Sequence, residues 1–592
     1  MRKLFLTISF FLLFCIQVNN QIDRYNLTFK DDNTVWFRTD GIEIMTDSIS
    51  GKMYLVGKEI FDGVRLPIIG AIYQTIFLPD ITNENIFISL KAKSLNLSNS
   101  FLKVSAYDSC ENEIYNVSSY LRKDSCNTEI NIPAIDVRFI KIMIGVDDIH
   151  HKMRNEQALF LNQMEIRIGG KNIETLLVPE SHAKIDQQEI NAINRDFSLN
   201  QYIKNNQIIG IGETVHGNMT FGKCFFELSK DMIINSDCRL IIMELSSNFM
   251  LKWNLFITDN ADFTYEELVA DMYQSSYSPE LFFEMFQWLK KYNENRGRKI
   301  RILGMDRAIS DFRSKLYWAD YIFHFMKKNN DHPLLDSLST FLIRNEFEKA
   351  KLIAQQSEIK RILGEEEWNF FIQALPKQAL ISFEEFQNNL SSTGYFGDAD
   401  PIEDLREKIM FSNVQEAIVY GLKENEKTII YGHLGHIGNH TFLGSTKNTL
   451  GYHLSHHYGD QYFRIGLLTG IGTYTAVAPT GTNGLLSQPD LQPPDPNSLE
   501  YFCMETGSQY FFCPVNAVSE KILRIRGLGR LSTENQFREY VSLENRMDAF
   551  IFVKESQGIH IPELWVDTDL YGKKRMDRFE NTMERNRFPR DH

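Results

Sequence analysis

The run Ile208-Ile209-Gly210-Ile211-Gly212 breaks directly into Glu213, and His216 follows three residues later. An apolar, strand-like stretch ending in a carboxylate and an imidazole is where α/β enzymes hold acid/base groups. The pattern recurs. Arg239-Leu240-Ile241-Ile242-Met243 runs into Glu244, Ile300-Arg301-Ile302-Leu303-Gly304-Met305 into Asp306, and Thr428-Ile429-Ile430-Tyr431-Gly432 into His433 and His436. In an open parallel sheet the carboxyl ends of the strands share one edge, so groups more than two hundred positions apart in the chain can meet in one crevice. A single carboxylate after a strand can do no more than cap the next helix. Four such strand ends, two of them with histidine, point to one active site.

The elements that must position these groups follow a βα rhythm. From about residue 200, strand candidates alternate with helical segments, which predicts a mostly parallel sheet. Phe221, Phe225, Leu228 and Met232 fall on one face of a helix after the first motif. Ser278-Pro279-Glu280 reads as an N-cap with proline at the first helical position, followed by Leu281, Met285, Trp288, Leu289 and Tyr292 on an apolar side. Helical patterns then succeed one another without a strand, at 334–353 and 365–374 among others. They predict a helical insertion at about 311–400, placed to act as a lid. A helix at 403–423 and strands at 463–469, 521–526 and 548–553 complete the region. Residues 21–173 differ: short β-rich runs such as 52–56, 86–90, 101–107, 139–144 and 164–168, separated by Asn, Asp, Ser and Gly, predict an antiparallel sandwich. The expected fold is thus an α/β catalytic domain with a mostly parallel sheet and helical insertion at 200–570, preceded by an all-β sandwich domain. A connector at 174–199 and a charged tail at 571–592 complete the organisation. His150 and His151 lie in a polar stretch of the sandwich, which carries no acid/base constellation and fits a scaffold or glycan-binding accessory.

The chain has 592 residues, 43% hydrophobic and 24% charged, enough to bury large cores. Its net charge of -14 argues against nucleic-acid or anionic-membrane partners, which call for a basic face. Met1-Arg2-Lys3 followed by the apolar run 4–16 reads as a signal peptide over residues 1–20, implying a secreted or periplasmic protein with no membrane span after cleavage. Phe14 before Cys15 disfavours a lipid anchor, since a small residue belongs there. The other six cysteines fall in neighbouring pairs, Cys110 with Cys126, Cys224 with Cys238, and Cys503 with Cys513. The first and third pairs are disulfide candidates, whereas Cys224 is expected to be buried on a helix. None has CxxC spacing, so a zinc-thiolate site is not supported.

The ordered series Gly212-Glu213-Thr214-Val215-His216-Gly217, Glu244, Phe286 to Asn293, Gly304-Met305-Asp306, Arg406-Glu407 with Met410 and Asn413, and His433-Leu434-Gly435-His436 resembles the erythromycin esterase family, over about residues 203–562. The resemblance implies hydrolysis of an ester by activated water, with Glu213, His216, Glu244, His433 and His436 as the functional positions. No G-x-S-x-G lies at a strand-to-helix turn, which disfavours a serine esterase. Two departures alter the polar lining. Phe225 stands where some relatives carry arginine, with Lys223 the nearest cation, and Leu434 stands where many have asparagine. Asp306, Lys223, Phe225 and His440 are the expected substrate-binding positions.

Water attack on an ester carbonyl needs a base with a pKa near the working pH, and histidine, at about 6.5, fits. His216 is the expected base. Glu213 or Glu244 would hold its tautomer, and the HxxH pair would donate to the oxyanion or to the leaving alcohol, in either assignment. Two other readings stay open. The same Glu/His set, with HxxH on a loop, could hold a divalent metal in a metal-dependent hydrolase, although no cofactor is required. Alternatively, the protein could be a secreted glycan-binding protein without turnover. The expected partners are a small-molecule ester and a glycan at the N-terminal domain.

Overall fold

The computed structural model describes most of residues 25–566. It leaves out residues 1–24, internal segments of which 148–156, 376–400, 440–447 and 478–485 are the longest, and all but isolated positions beyond 566. The expected leader, His150, His151, Cys110, the side chain of Cys126, His440 and most of the tail therefore lie outside the described residues. The chain forms two compact units, Met1–Glu180 and Ser181–His592.

The first unit is β-rich. Phe37–Arg38, Ile69–Phe77, Phe139–Asp147, Ser100–Tyr107 and Glu113–Leu121 form one antiparallel sheet in that order. Cys126–Pro133, Asn85–Leu95, Ala158–Ile168, Met53–Gly57 and Ile42–Thr46 form another. Along Asn85–Leu95 every second side chain, from Ile86 to Ser94, is buried, the period of a strand with one face on a core. Ile72 and Val104 of one sheet and Ile88 and Ile166 of the other belong to a single apolar cluster.

The second unit is organised by one sheet of eight strands: β1 Asn191–Ala192, β2 Ile208–Glu213, β3 Cys238–Ser246, β4 Arg301–Asp306, β5 Lys427–His433, β6 Tyr462–Gly472, β7 Tyr510–Pro514 and β8 Ala549–Ser556, in the spatial order β1-β7-β8-β6-β2-β5-β3-β4. From β8 to β4 all neighbours are parallel, while β7 and β1 add an antiparallel edge. All six residues of β2 are buried, as expected of a strand covered on both faces. Alternation assigns the two faces: Ile209, Ile211, Ile241, Met243 and Ile429 enter one apolar cluster, and Ile208, Leu240, Ile242 and Ile430 another.

The first face is covered by α1 (Met219–Asn235), where Asn218 accepts a hydrogen bond from Phe221 N at 3.1 Å, and by α4 (Pro279–Asn293), capped by Ser278 as its sequence predicts. Between them lie α2 (Ser247–Thr258), buried on all sides, and α3 (Tyr265–Asp271). The second face is covered by α5 (Phe312–Lys328), α6 (Pro333–Ile343), α7 (Phe347–Ala354), α8 (Ser357–Leu363), α9 (Glu365–Ala374) and α10 (Pro401–Gly421). Two short helices, α11 (Leu434–Ile437) and α12 (Leu450–Tyr458), follow β5.

Several local expectations change. The helical pattern at 334–353 is split between α6 and α7 because Asn345 takes a left-handed conformation, φ 58°. The late strand expected at 521–526 shrinks to Ile522–Arg524 and pairs with Tyr540–Ser542 outside the main sheet. Residues of the expected connector join the second unit, where β1 extends the sheet edge and Ile185 bridges Val518. Cys503 and Cys513 are free thiols rather than a disulfide, both buried in one apolar cluster where they pack as small hydrophobic groups. Cys224 and Cys238 are likewise free and buried, and burial pushes each thiol up to about 12. Among the described residues no helix is long and apolar enough to cross a membrane.

Candidate active site

The carboxyl ends of β2, β5, β3 and β4 place the site. Register sets Glu213 opposite His433 and Ser246 opposite Asp306. After β2 the chain turns through His216 and Gly217. Gly217 has φ +69°, and a Cβ on it would sit 1.9 Å from the Thr475 carbonyl oxygen, so the turn requires glycine. His216 N donates to Leu528 O at 3.0 Å, which ties the turn to the 526–529 segment.

Within this turn, Glu213 Oε1 lies 2.6 Å from His216 Nδ1, and the Tyr431 hydroxyl donates to Glu213 Oε2 at 2.5 Å. A carboxylate accepts, so Nδ1 carries the proton and Nε2 keeps the lone pair. Phe225 supports this chain from below. Its ring is buried and stacks on Tyr431, with centroids 4.0 Å apart and planes at 8°. Phe225 thus packs on the ring whose hydroxyl donates to Glu213. Lys223, on the same helix, is exposed.

Glu244 reaches the site through an irregularity in β3. The register with β4 slips between Met243 and Ser246, and such a bulge re-aims a side chain. Its Oε2 accepts from His433 N at 2.8 Å and its Oε1 from Arg406 Nη2 at 2.9 Å. Gly432 leaves room for it, since a Cβ there would lie 3.0 Å from both the Cβ and Oε2 of Glu244. Asp306 is not open to a ligand on every side: it accepts from Arg406 Nη2 at 2.9 Å and from Arg307 N at 2.8 Å. Arg406 comes from α10, which is anchored to β4 by Asn413 Nδ2 donating to Met305 O at 2.8 Å.

The two later histidines are not equivalent. His433 ends β5 and caps α11, its Nδ1 accepting from Gly435 N at 3.1 Å. Burial, reinforced by the neighbouring His216, lowers its pKa to about 3, so the ring is neutral. His436, on α11 rather than on a loop, has Nδ1 2.5 Å from Glu407 Oε1 and Nε2 3.3 Å from Glu244 Oε1. Burial opposes its charge, yet Glu244 and Glu407 outweigh it and raise the pKa to about 10. With both ring nitrogens protonated, the 3.2 Å approach of Arg406 Nη1 to Nε2 is a contact between like charges, not a hydrogen bond. Glu407 is wholly buried, and its Oε2 accepts from Leu450 N at 2.6 Å.

Burial also works against charge at His216 and Glu244. Glu213 reverses it at His216, raising the pKa, whereas His436, His216 and Arg406 hold Glu244 well below the usual carboxylate range. Burial raises Glu213 despite its hydrogen bond to His216. His216, Glu244 and Asp306 line a cavity of about 300 Å³ together with Tyr277, Tyr317 and Phe249. The Tyr277 hydroxyl is buried with no hydrogen-bond partner among the described residues, and burial keeps it protonated.

The structure thus brings Glu213, His216, Glu244, His433, His436 and Asp306 together. It adds Arg406, Glu407, Tyr431 and Tyr277. Arg406 and Glu407 belong to the ordered series that carries the family resemblance, but as an adjacent Arg-Glu pair on a helix they gave no sign of a role in the site. Tyr431 sits within an apolar strand run and gives no signal of its own. Among the described residues no group of three or more His, Cys, Asp and Glu side chains is arranged to hold a metal ion, and the cation between Glu244 and Asp306 is Arg406.

The chain belongs to the erythromycin esterase family, whose model matches residues 233–556. The match takes in Glu244, Asp306, Arg406, Glu407, His433 and His436 and begins after Glu213 and His216. Similar solved structures include a Bacillus cereus protein, 18% identical, TM-score 0.47, matched over 64% of this chain and 97% of that one. A succinoglycan biosynthesis protein is 20% identical, with TM-score 0.47, over 64% and 97%. The erythromycin esterase EreC in an open conformation is 16% identical, with TM-score 0.41, over 64% and 99%. No curated protein matches.

Proposed function

We propose that this protein hydrolyses a carboxylic ester or lactone with water activated by His216. The observation that carries the reading is the Tyr431–Glu213–His216 chain, which leaves a basic Nε2 on a residue that lines the same cavity as Glu244. Nε2 takes a proton as water attacks the ester carbonyl carbon, and Glu213 stabilises the imidazolium that forms. The Tyr277 hydroxyl donates to the oxyanion. The proton for the departing alkoxide comes from His436, which stands behind the cavity-lining Glu244 with its protonated Nε2 3.3 Å from Glu244 Oε1. The cycle closes when solvent reprotonates His436 and His216 releases its proton. The family supports hydrolysis of an ester or lactone, and the aromatic cavity wall suits a substrate with an apolar body. The basic residues and apolar run near Met1 support a secreted or periplasmic location in this reading.

A panel of aryl esters and lactones tests the reading: turnover of at least one is expected, and none with any member would end it. Two further outcomes follow from the geometry. kcat/KM rises with pH through the His216 pKa, which lies above the ordinary histidine value, because the base acts only when neutral. It falls again near pH 10 as His436 loses the proton it must donate. A profile flat from pH 5 to 11 would remove both assignments. Tyr277→Phe, which deletes one neutral hydrogen bond, is expected to lower kcat about tenfold at unchanged KM; unchanged kcat would return Tyr277 to the role of a wall residue.

A further inference from the structure

In the first unit, Phe160 pairs with Tyr54, and Tyr54 with Met45, across adjacent strands of the second sheet. Their neighbours Leu55 and Leu159 are buried in the shared cluster, so this row points to the outer face. The Tyr54 and Phe160 rings stack, with centroids 5.1 Å apart and planes at 25°. With Leu95 they line a cavity of about 430 Å³ whose described rim is polar, formed by Asp47, Ser48 and Gln157. The rim is ordered before any ligand arrives. Asp47 Oδ1 accepts from Ile49 N at 3.2 Å and Oδ2 from Ser50 Oγ at 2.6 Å, while Gly51, φ +64°, closes the turn onto Asp47 O at 2.8 Å. Gln157 Nε2 donates to Asn96 O at 3.2 Å.

We propose that this cleft binds a neutral saccharide chain. A sugar ring has an apolar C–H face and an edge of hydroxyls, and this cleft offers the complementary pair: an aromatic platform with electron-rich faces and a fixed polar rim. A purely apolar ligand would displace water from the Asp47 carboxylate and offer no hydrogen bond in exchange. A polyanion meets Asp47 and a chain of net charge -14. The volume is that of a small-ligand site rather than a protein interface, and so holds a short run of rings. The cleft is built from residues of the first unit alone, and its occupancy does not depend on ester hydrolysis.

Native electrophoresis of the full chain through gels containing mixed-linkage β-glucan, xylan or galactomannan, with polygalacturonate as the charged control, tests it. Retardation by at least one neutral polysaccharide is expected, weakened about tenfold or more in Tyr54→Ala/Phe160→Ala. Phe160→Leu, which removes the ring and retains apolar packing, gives the same reading if the double variant fails to fold. No retardation by any neutral polysaccharide, retardation by polygalacturonate alone, or equal retardation of wild type and Phe160→Leu would overturn the proposal.

Discussion

His216→Ala is expected to lower kcat/KM for an ester substrate by about 10³-fold or more while leaving the thermal midpoint close to that of the native protein. The large loss follows from geometry. Glu213 is buried behind His216, with one oxygen on the Tyr431 hydroxyl, so it cannot replace the imidazole as the base that meets the cavity. Glu244 does line the cavity, but His436, His216 and Arg406 hold its pKa well below the usual range, which makes it a weak base. The small effect on stability follows from burial, which already raises the pKa of Glu213: without its imidazole partner the carboxyl takes up a proton and avoids standing as an unpaired buried charge. Steady-state kinetics together with thermal unfolding decide the matter, and residual activity within tenfold of the native enzyme would rule His216 out as the base.

Glu407→Gln is expected to lower kcat about 10²-fold at neutral pH and to move the alkaline limb of the rate profile downward from about 10. Glu407 touches no substrate in this reading; it positions His436 and holds its charge. The amide keeps the shape and can still hydrogen-bond, yet it removes one of the two carboxylates that overcome the burial of the imidazolium. The sign is fixed by linkage: a histidine whose pKa is raised by an anion loses that elevation with the anion, so its proton is gone at a lower pH. A purely structural role would lower the amount of folded enzyme without moving the limb. An unshifted limb at reduced activity would therefore defeat the assignment.

Much of this was legible in the chain. Apolar runs ending in Glu213, Glu244, Asp306 and His433 identify parallel strands because a strand covered on both faces must be apolar throughout, and its end is where polar groups first become affordable. Helix α4 was marked by Ser278-Pro279, whose capping is local chemistry. The helical pattern at 334–353 misled because apolar spacing continues through a break that a single left-handed Asn345 introduces. The Cys503/Cys513 pair misled because spacing in sequence says nothing about whether two side chains serve as packing, whereas Cys224 is buried on its helix as expected.

The sequence by itself determined which strands carry acid/base groups and that their ends share an edge. Only the tertiary structure decided the protonation of the histidines. His433 and His436 are three residues apart and chemically identical in the chain, yet one lies against backbone and imidazole and the other between Glu244 and Glu407. A charge state inside a protein depends on burial and on which ionised groups lie within a few ångströms, and the partners of His436 come from other elements, Glu244 from β3 and Glu407 from α10.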